Sequence, residues 1–318
     1  MEKKPEFTVE VRNLEKKFGD FTAVNHINFQ VKPGEIFGFL GPNGAGKSTT
    51  IKMLCGILAP TSGEGTVGGY DIIHEQIRIK EHIGYMSQKF SLYDDLTVEE
   101  NIYFYSGIYN VPDKEKRIED IMKKARLERF RKMTTAMLSG GWKQRLALVC
   151  ALIHYPNIIF LDEPTSGVDP ITRQTFWDII KELAKMGITV FVTTHYMDEA
   201  ENCDRMALIY KGNIIAMGTP FEMKTKFMKN EVLSINVPNP EEEAEKLTTL
   251  AYIDDVALFG AGIHATVEDS GGAIPRIKKL FQEREIKDYK IEKIKPSLED
   301  VFVSLIENYD REHKDESK

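Results

Sequence analysis

Gly41, Pro42, Asn43, Gly44, Ala45, Gly46, Lys47, Ser48 and Thr49 fit the phosphate-binding pattern G-x-x-x-x-G-K-[ST] without exception. Glycines at 41, 44 and 46 let the backbone curl closely enough for its N–H groups to meet polyphosphate oxygens that side chains could not approach as tightly. Lys47 is then placed to reach the outer phosphates and Ser48 to ligate Mg²⁺. A second chemical centre stands at Asp162-Glu163, delivered by the apolar run Ile158-Ile159-Phe160-Leu161. Sheets flanked by helices bind ligands at the C-terminal ends of such strands. Two adjacent carboxylates are costly to leave unpaired there, which points to a metal ion or a nucleophilic water.

Three further positions have a chemical and a plain reading. Ser139, Gly140 and Gly141 open a helix, so their amides form either a second anion site or an ordinary N-cap. Phe18 precedes the glycine loop and either stacks on an adenine ring or joins the core. His195 ends an apolar strand, where a lone histidine is usually structural.

The elements that must position these residues follow from periodicity. Glu35 to Leu40 reads as a buried strand before the glycine loop, and a helix starting at Lys47, with Ile51, Leu54, Cys55 and Leu58 at helical spacing, aims its positive end at the phosphates. Phe7 to Val11 and Ile27 to Val31 alternate as half-buried antiparallel strands, with Leu14 to Asp20 as a loop between them. Pro60 to Gly63 reads as a turn before a hairpin-like stretch. Gln88 starts a loop that runs to Thr97, the N-cap of a helical block with Glu100 as its capping-box partner. Within that loop Phe90, Leu92 and Tyr93 form an apolar cluster suited to docking a partner. Ser166 to Pro170 turns into a helix ended by Gly187, and Ile188 to Thr194 is a further buried strand. Beyond residue 230 the phosphate motifs stop, and a β-α-β-β-α-β order suggests a small ferredoxin-like accessory domain at 230–318. The expected division is therefore 1–222, with an inserted helical subdomain at about 92–150, and 230–318.

With 318 residues the chain has length for one large or two ordinary domains. Its net charge of -7 argues against broad nucleic-acid binding, which needs a concentrated basic surplus. Three cysteines, spaced like no metal site, imply no disulfide framework and fit a reducing compartment. The first residues lead into an alternating strand, so no signal peptide is expected, and no run of 18 apolar residues occurs. Membrane association is expected only through a partner.

In this order the motifs resemble those of the ATP-binding subunits of ABC transporters, over about residues 7–222. Gly41 to Ser48 looks like Walker A, Ile158 to Asp162 like Walker B, Leu138 to Trp142 like the signature, Gln88 like the Q-loop, Ser166 to Asp169 like the D-loop and His195 like the switch histidine. The resemblance implies a P-loop NTPase α/β core with an antiparallel β subdomain and a helical insertion. It implies ATP and Mg²⁺ as ligands, with Ser48, Gln88 and Asp162 toward the metal and Glu163 as general base, assisted by Gln88 and His195. Phe18 is implied at the adenine, and Ser139, Gly140, Gly141 and Asp169 at nucleotide shared with a second subunit. Trp142 departs from the pattern, which usually has Gln there, and puts the dimer contact at that edge in question. Pro164 to Pro170 and Pro296 to Phe302 look like ATPases of ABC-2-type drug and antibiotic exporters. The implied partners are a second ATP-binding subunit, a homodimer before a heterodimer, and an integral-membrane permease that holds the chain at the inner face of the cell membrane. A soluble ABC ATPase of translation or repair would carry two nucleotide blocks, a P-loop kinase would lack the signature, and a non-hydrolysing module would lack Lys47, Asp162, Glu163 or His195.

Overall fold

The computed structural model describes residues 6–89, 91–228 and 230–313. The chain divides into two compact units between Met217 and Gly218. In the first unit the order is β1 (Val9–Phe18), β2 (Phe21–Val31), β3 (Ile36–Leu40), α1 (Lys47–Leu54), β4 (Ser62–Val67), β5 (Tyr70–Asp71), α2 (Gln76–His82) and β6 (Ile83–Met86). There follow α3 (Val98–Ile108), α4 (Lys114–Lys124), α5 (Gly140–Leu152), β7 (Ile158–Asp162), α6 (Pro170–Lys185), β8 (Thr189–Thr194), α7 (Met197–Ala200), β9 (Arg205–Tyr210) and β10 (Asn213–Gly218).

The central sheet runs β10-β9-β3-β8-β7-β6, and β3, β6, β7, β8 and β9 are parallel to their neighbours among these five. Both faces of β3 and β7 are covered, which is why every residue of Ile36–Leu40 and Ile158–Asp162 is buried and their sequences are apolar runs without alternation. One face carries a cluster of rings in which Phe191 lies 5.6 Å from Phe37 and 5.5 Å from both Phe39 and Phe160. The other packs Leu161, Val190 and Val192 on Phe176, Trp177 and Ile180 of α6. Register pairs Leu40 with Thr194 and Asp162 with Thr193. Gly41, Glu163 and His195, each one residue beyond a paired strand end, are thereby brought to one edge.

The four-stranded sheet β2-β1-β4-β5 is antiparallel. Here several sequence expectations give way. Leu14 to Phe18 is not a loop: β1 continues to Phe18 through register shifts, with Leu14 buried and Glu15 accepting from Ser62. Ser62 and Gly63 belong to β4 and not to a turn, because Gly63 lies so close to β1 that a Cβ there would be 2.2 Å from Asn13 O. The phosphate-loop helix stops at Leu54, since Gly56 turns left-handed at φ 65°, so Leu58 packs from outside it. The short helices α2 and α7 have no clear periodicity to announce them.

The helical insertion α3, α4 and α5 has its own core of Ile102, Ile118, Met122, Leu146 and Val149. Thr97 and Glu100 form the expected capping box on α3. Asn101, fully buried, bonds Tyr93 N and O at 2.9 Å each and Thr135 Oγ1 at 2.9 Å, tying the loop after Gln88 to this subdomain. Leu92 packs on both neighbouring cores while Tyr93 is half exposed. The apolar run expected to dock a partner is thus partly used by the fold, and Phe90 lies outside the described residues.

The second unit holds α8 (Pro220–Lys226), β11 (Glu231–Asn236), α9 (Pro240–Leu247), β12 (Asp255–Phe259), β13 (Gly262–Val267), α10 (Ser270–Glu283), β14 (Lys290–Ile294) and α11 (Leu298–Glu312). Its sheet order is β12-β13-β11-β14 with every adjacent pair antiparallel. The division at Met217 falls before the expected boundary at 222, and α8 belongs to this unit, where the following Phe227 and Met228 pack on Val301 and Leu305 of α11.

One half-buried histidine, just after α5, is bonded to the central sheet. His154 Nε2 donates to Ile83 O at 3.0 Å, its ring stacks on Tyr109 at 3.7 Å, and its Nδ1 is buried without a protein partner. Burial pushes its pKa down to about 4 from the ordinary 6.5. The unfolded chain therefore binds this proton at a higher pH than the folded one, so the stability present above pH 6.5 is lost as pH falls toward about 4. In urea titrations across that window, His154→Gln is expected to flatten the pH dependence of the first unit's midpoint; an unchanged slope would show that His154 is not the titrating group.

Candidate nucleotide site

The glycine loop between β3 and α1 leaves an anion-sized cradle of backbone. Gly44 and Gly46 take φ of 82° and 110°. A Cβ at Gly41 would stand 2.2 Å from Ile209 O and one at Gly46 2.5 Å from Ala23 O, so neither position accepts a side chain. Gly46 is the N-cap of α1 but offers no side-chain cap, and the first turn contains no acid. The orphan amides and the positive end of the helix dipole are left for an anion, which fits a nucleotide polyphosphate.

Lys47 is 4% exposed, and its Nζ lies 2.8 Å from Gly41 O, 3.1 Å from Pro42 O and 3.0 Å from Glu163 Oε1. Glu163 accepts further hydrogen bonds at Oε2 from Gln88 Nε2 at 3.1 Å and meets His195 Nδ1 at 3.2 Å. The expectation that the two acids need a metal or water is met differently here: both have side-chain partners. Asp162 accepts from Ser48 Oγ at 3.0 Å and from Thr193 Oγ1 at 2.8 Å. These hard oxygen donors suit Mg²⁺, which takes one or two protein oxygens and fills its shell with water and phosphate. Among the described residues no cluster of three His, Cys, Asp or Glu stands ready to hold a metal without phosphate.

Glu163 adopts φ 48°, a left-handed conformation that costs a residue with a Cβ about 1–3 kcal/mol. Thr193 holds it there, since Glu163 N donates to Thr193 Oγ1 at 2.9 Å. Thr193 is a positioning residue that sequence reasoning missed; its only signal was the polar pair Thr193-Thr194 at the end of an apolar strand. Glu199 was missed as well. Fully buried, it accepts from Thr165 Oγ1 at 2.5 Å and Thr194 Oγ1 at 2.7 Å, joining the segment after Glu163 to the strand that carries His195. Burial raises its pKa, against the lowering effect of those two hydroxyls and Arg173.

The other candidates lie apart from this cluster in their contacts. Phe18 is 49% exposed, with Lys16 Nζ 5.2 Å above its ring, so it is not a core residue and presents an aromatic face to solvent. Ser139 sits at the N-cap of α5 but its hydroxyl makes no capping bond. Gly140 faces open space, whereas a Cβ at Gly141 would collide with Thr172 Cγ2 at 2.5 Å, so Gly141 is required where α5 approaches α6. Asp169 is committed within the chain: its Oδ1 caps α6 by accepting from Ile171 N at 3.1 Å and Thr172 N at 3.0 Å. Trp142 turns onto Phe130 with ring centroids 4.6 Å apart, flanked by Arg129 at 4.9 Å and Arg145 at 5.0 Å.

A parallel sheet whose strand ends gather a glycine-loop lysine, a serine, two carboxylates and a histidine defines a P-loop nucleotide-binding protein. The family described as ABC transporter matches residues 24–166. The chain is 52% identical over 228 residues to the probable multidrug ABC transporter ATP-binding protein YbhF of Escherichia coli, covering 71% of this chain and 39% of that protein, so it spans well under half of that relative's length. It is 35% identical over 300 residues to the Nod factor export ATP-binding protein I of Rhizobium etli, covering 93% and 92%. A solved ATP-binding cassette, a dimer in a post-hydrolysis state with ADP and Pi, is 30% identical with a TM-score of 0.61 over 66% of this chain and 98% of that one. The chain belongs to the ATP-binding proteins of the ABC transporter family.

If the exposed ring of Phe18 carries the base, Phe18→Ala should weaken ATP by about 0.5–1.5 kcal/mol with the thermal midpoint unchanged. Equilibrium titration with a fluorescent ATP analogue measures this, and equal affinity in both proteins would remove Phe18 from the site.

Proposed function

We propose that this chain is the ATP-hydrolysing subunit of an exporter, that two copies close on ATP, and that the cycle drives a separate integral-membrane permease of ABC-2 type. The observation that carries the hydrolytic part is Glu163, held by Lys47, Gln88 and His195 within one ångström-scale cluster beside the Asp162 and Ser48 pair. A polyphosphate in the glycine loop competes with Glu163 for the Lys47 ammonium, and its greater charge wins. Released from Lys47, the Glu163 carboxylate takes a proton from the attacking water as the water oxygen bonds the γ-phosphorus and the bond from that phosphorus to the β–γ bridging oxygen breaks, with ADP leaving. Gln88 and His195, already within reach of Glu163, turn toward that water and the γ-phosphate. Mg²⁺ bound at Ser48 and Asp162 would supply neutralisation of the charge on the phosphate oxygens.

Ser139 and Gly140 are proposed to meet the γ-phosphate of ATP on the second subunit; the uncapped hydroxyl and the open space at Gly140 support that reading. The dimer of the solved cassette and the export named for the Rhizobium protein support closure and direction. Among the described residues no helix is long and apolar enough to cross a membrane, which fits attachment to the cytoplasmic face through the permease. Exposed Tyr93, Tyr103 and Phe104 offer that permease an aromatic surface. The second unit, which has no phosphate motif, is proposed as an accessory domain.

Glu163→Gln keeps the size of the side chain but cannot accept the proton. Steady-state turnover should fall about 10²–10⁴-fold while ATP binding persists and a dimer accumulates. Near-normal turnover would reject the assignment. Gly140→Asp points a carboxylate into open space toward the partner's phosphates, so ATP-driven dimerisation should be lost with monomer nucleotide affinity retained. Light scattering with and without ATP decides it, since dimerisation like that of the unmodified chain would exclude contact in trans.

A further inference from the structure

A cleft of about 580 Å³ opens where α4 and α5 face the C-terminal half of α6, and it shares no lining residue with the nucleotide site. Its size is that of an organic ligand pocket. The walls are apolar, built chiefly by Leu148, Leu152, Ile179 and Leu183. Arg117 and Arg145 line this apolar space and exposed Lys124 stands at its rim, against the single lining carboxylate of Glu182. Both guanidiniums are bonded to backbone carbonyls and not to acids: Arg117 donates to Ile153 O at 3.0 Å and Leu152 O at 2.8 Å, and Arg145 to Ala125 O at 3.1 Å. Burial holds both below the ordinary arginine range, and the neighbouring Arg126 adds to the effect at Arg145. Arg117 also stacks on the Tyr155 ring at 3.5 Å and Arg145 lies 5.0 Å from the Trp142 ring, so carbonyls and aromatic faces meet these charges, with no carboxylate in contact among the described residues.

A neutral apolar ligand would give these guanidiniums no anion, and a bare inorganic anion would leave the apolar walls wet. We propose that the cleft binds an amphipathic organic monoanion, a carboxylate with an alkyl or aryl tail, its head among Arg117, Lys124 and Arg145 and its tail on Leu148, Ile179 and Leu183. Charge-assisted hydrogen bonds to guanidinium then set affinity and the walls set preference for the tail. Because α4 and α5 belong to the helical subdomain and α6 to the central sheet layer, an occupant bridges the two.

The probes are decanoate and its uncharged counterpart decanol, titrated below micelle-forming concentration into the full chain by isothermal calorimetry. Decanoate should bind at least about tenfold tighter than decanol. Arg145→Met, which keeps the apolar stem, should lower decanoate affinity about tenfold and leave decanol unchanged. Lys124 is exposed, so Lys124→Glu, with an unchanged thermal midpoint as its fold control, provides a second test and should also weaken decanoate alone. Equal binding of the two probes, decanoate affinity unmoved by either substitution, or no binding of decanoate would each overturn the proposal.

Discussion

The first unit is organised around one buried ion pair, Lys47 with Glu163. An ammonium and a carboxylate, both almost wholly out of water, recover only part of their desolvation cost from one another. Each is therefore held by other groups: Lys47 by the carbonyls of its own loop, Glu163 by Gln88 and His195. These contacts require four chain segments to end at the same edge, which the parallel register of β3, β8, β7 and β6 achieves. On the proposed function the pair is also where a polyphosphate would act, since it would bring more negative charge to the same ammonium. Ligand binding and release of the Glu163 carboxylate would then be one electrostatic event.

Around that pair lies a shell of buried polar side chains bonded to one another and to the chain that carries the two acids. Thr193 holds both acids, to Asp162 through its hydroxyl proton and to the backbone of Glu163 through its oxygen. Glu199 joins Thr165 and Thr194, and Gln144 Nε2 donates to Pro164 O at 2.5 Å, so α5 is bonded to the segment that follows the two carboxylates. Fully satisfied networks of this kind rigidify their surroundings, which is what a strained left-handed Glu163 requires. The helical subdomain is linked to the same region by Asn101, whose side chain accepts from Tyr93 N and donates to Tyr93 O in the loop after Gln88.

Trp142 illustrates how a departure from a family pattern is absorbed. Its indole packs on Phe130 between two guanidiniums, and open space is left at Gly140.

The sequence by itself determined the elements whose signal is local. The glycine loop, the capping box of Thr97 and Glu100, the buried strand before Asp162 and the β-α-β-β-α-β order of the second unit depend on neighbouring residues, and neighbours are what a linear pattern records. It also singled out a lysine, a serine, two acids and a histidine by their chemical types, and the structure gathers these five at one sheet edge. Only the tertiary structure decided which of them touch. That Glu163 pairs with Lys47, that Thr193 and Glu199 hold the site, that Asp169 is spent on capping α6 and that β1 runs on to Phe18 all follow from contacts across strands far apart in the chain. A threonine at a strand end looks the same in sequence whether it faces solvent or a catalytic acid; register across the sheet is what distinguishes the two.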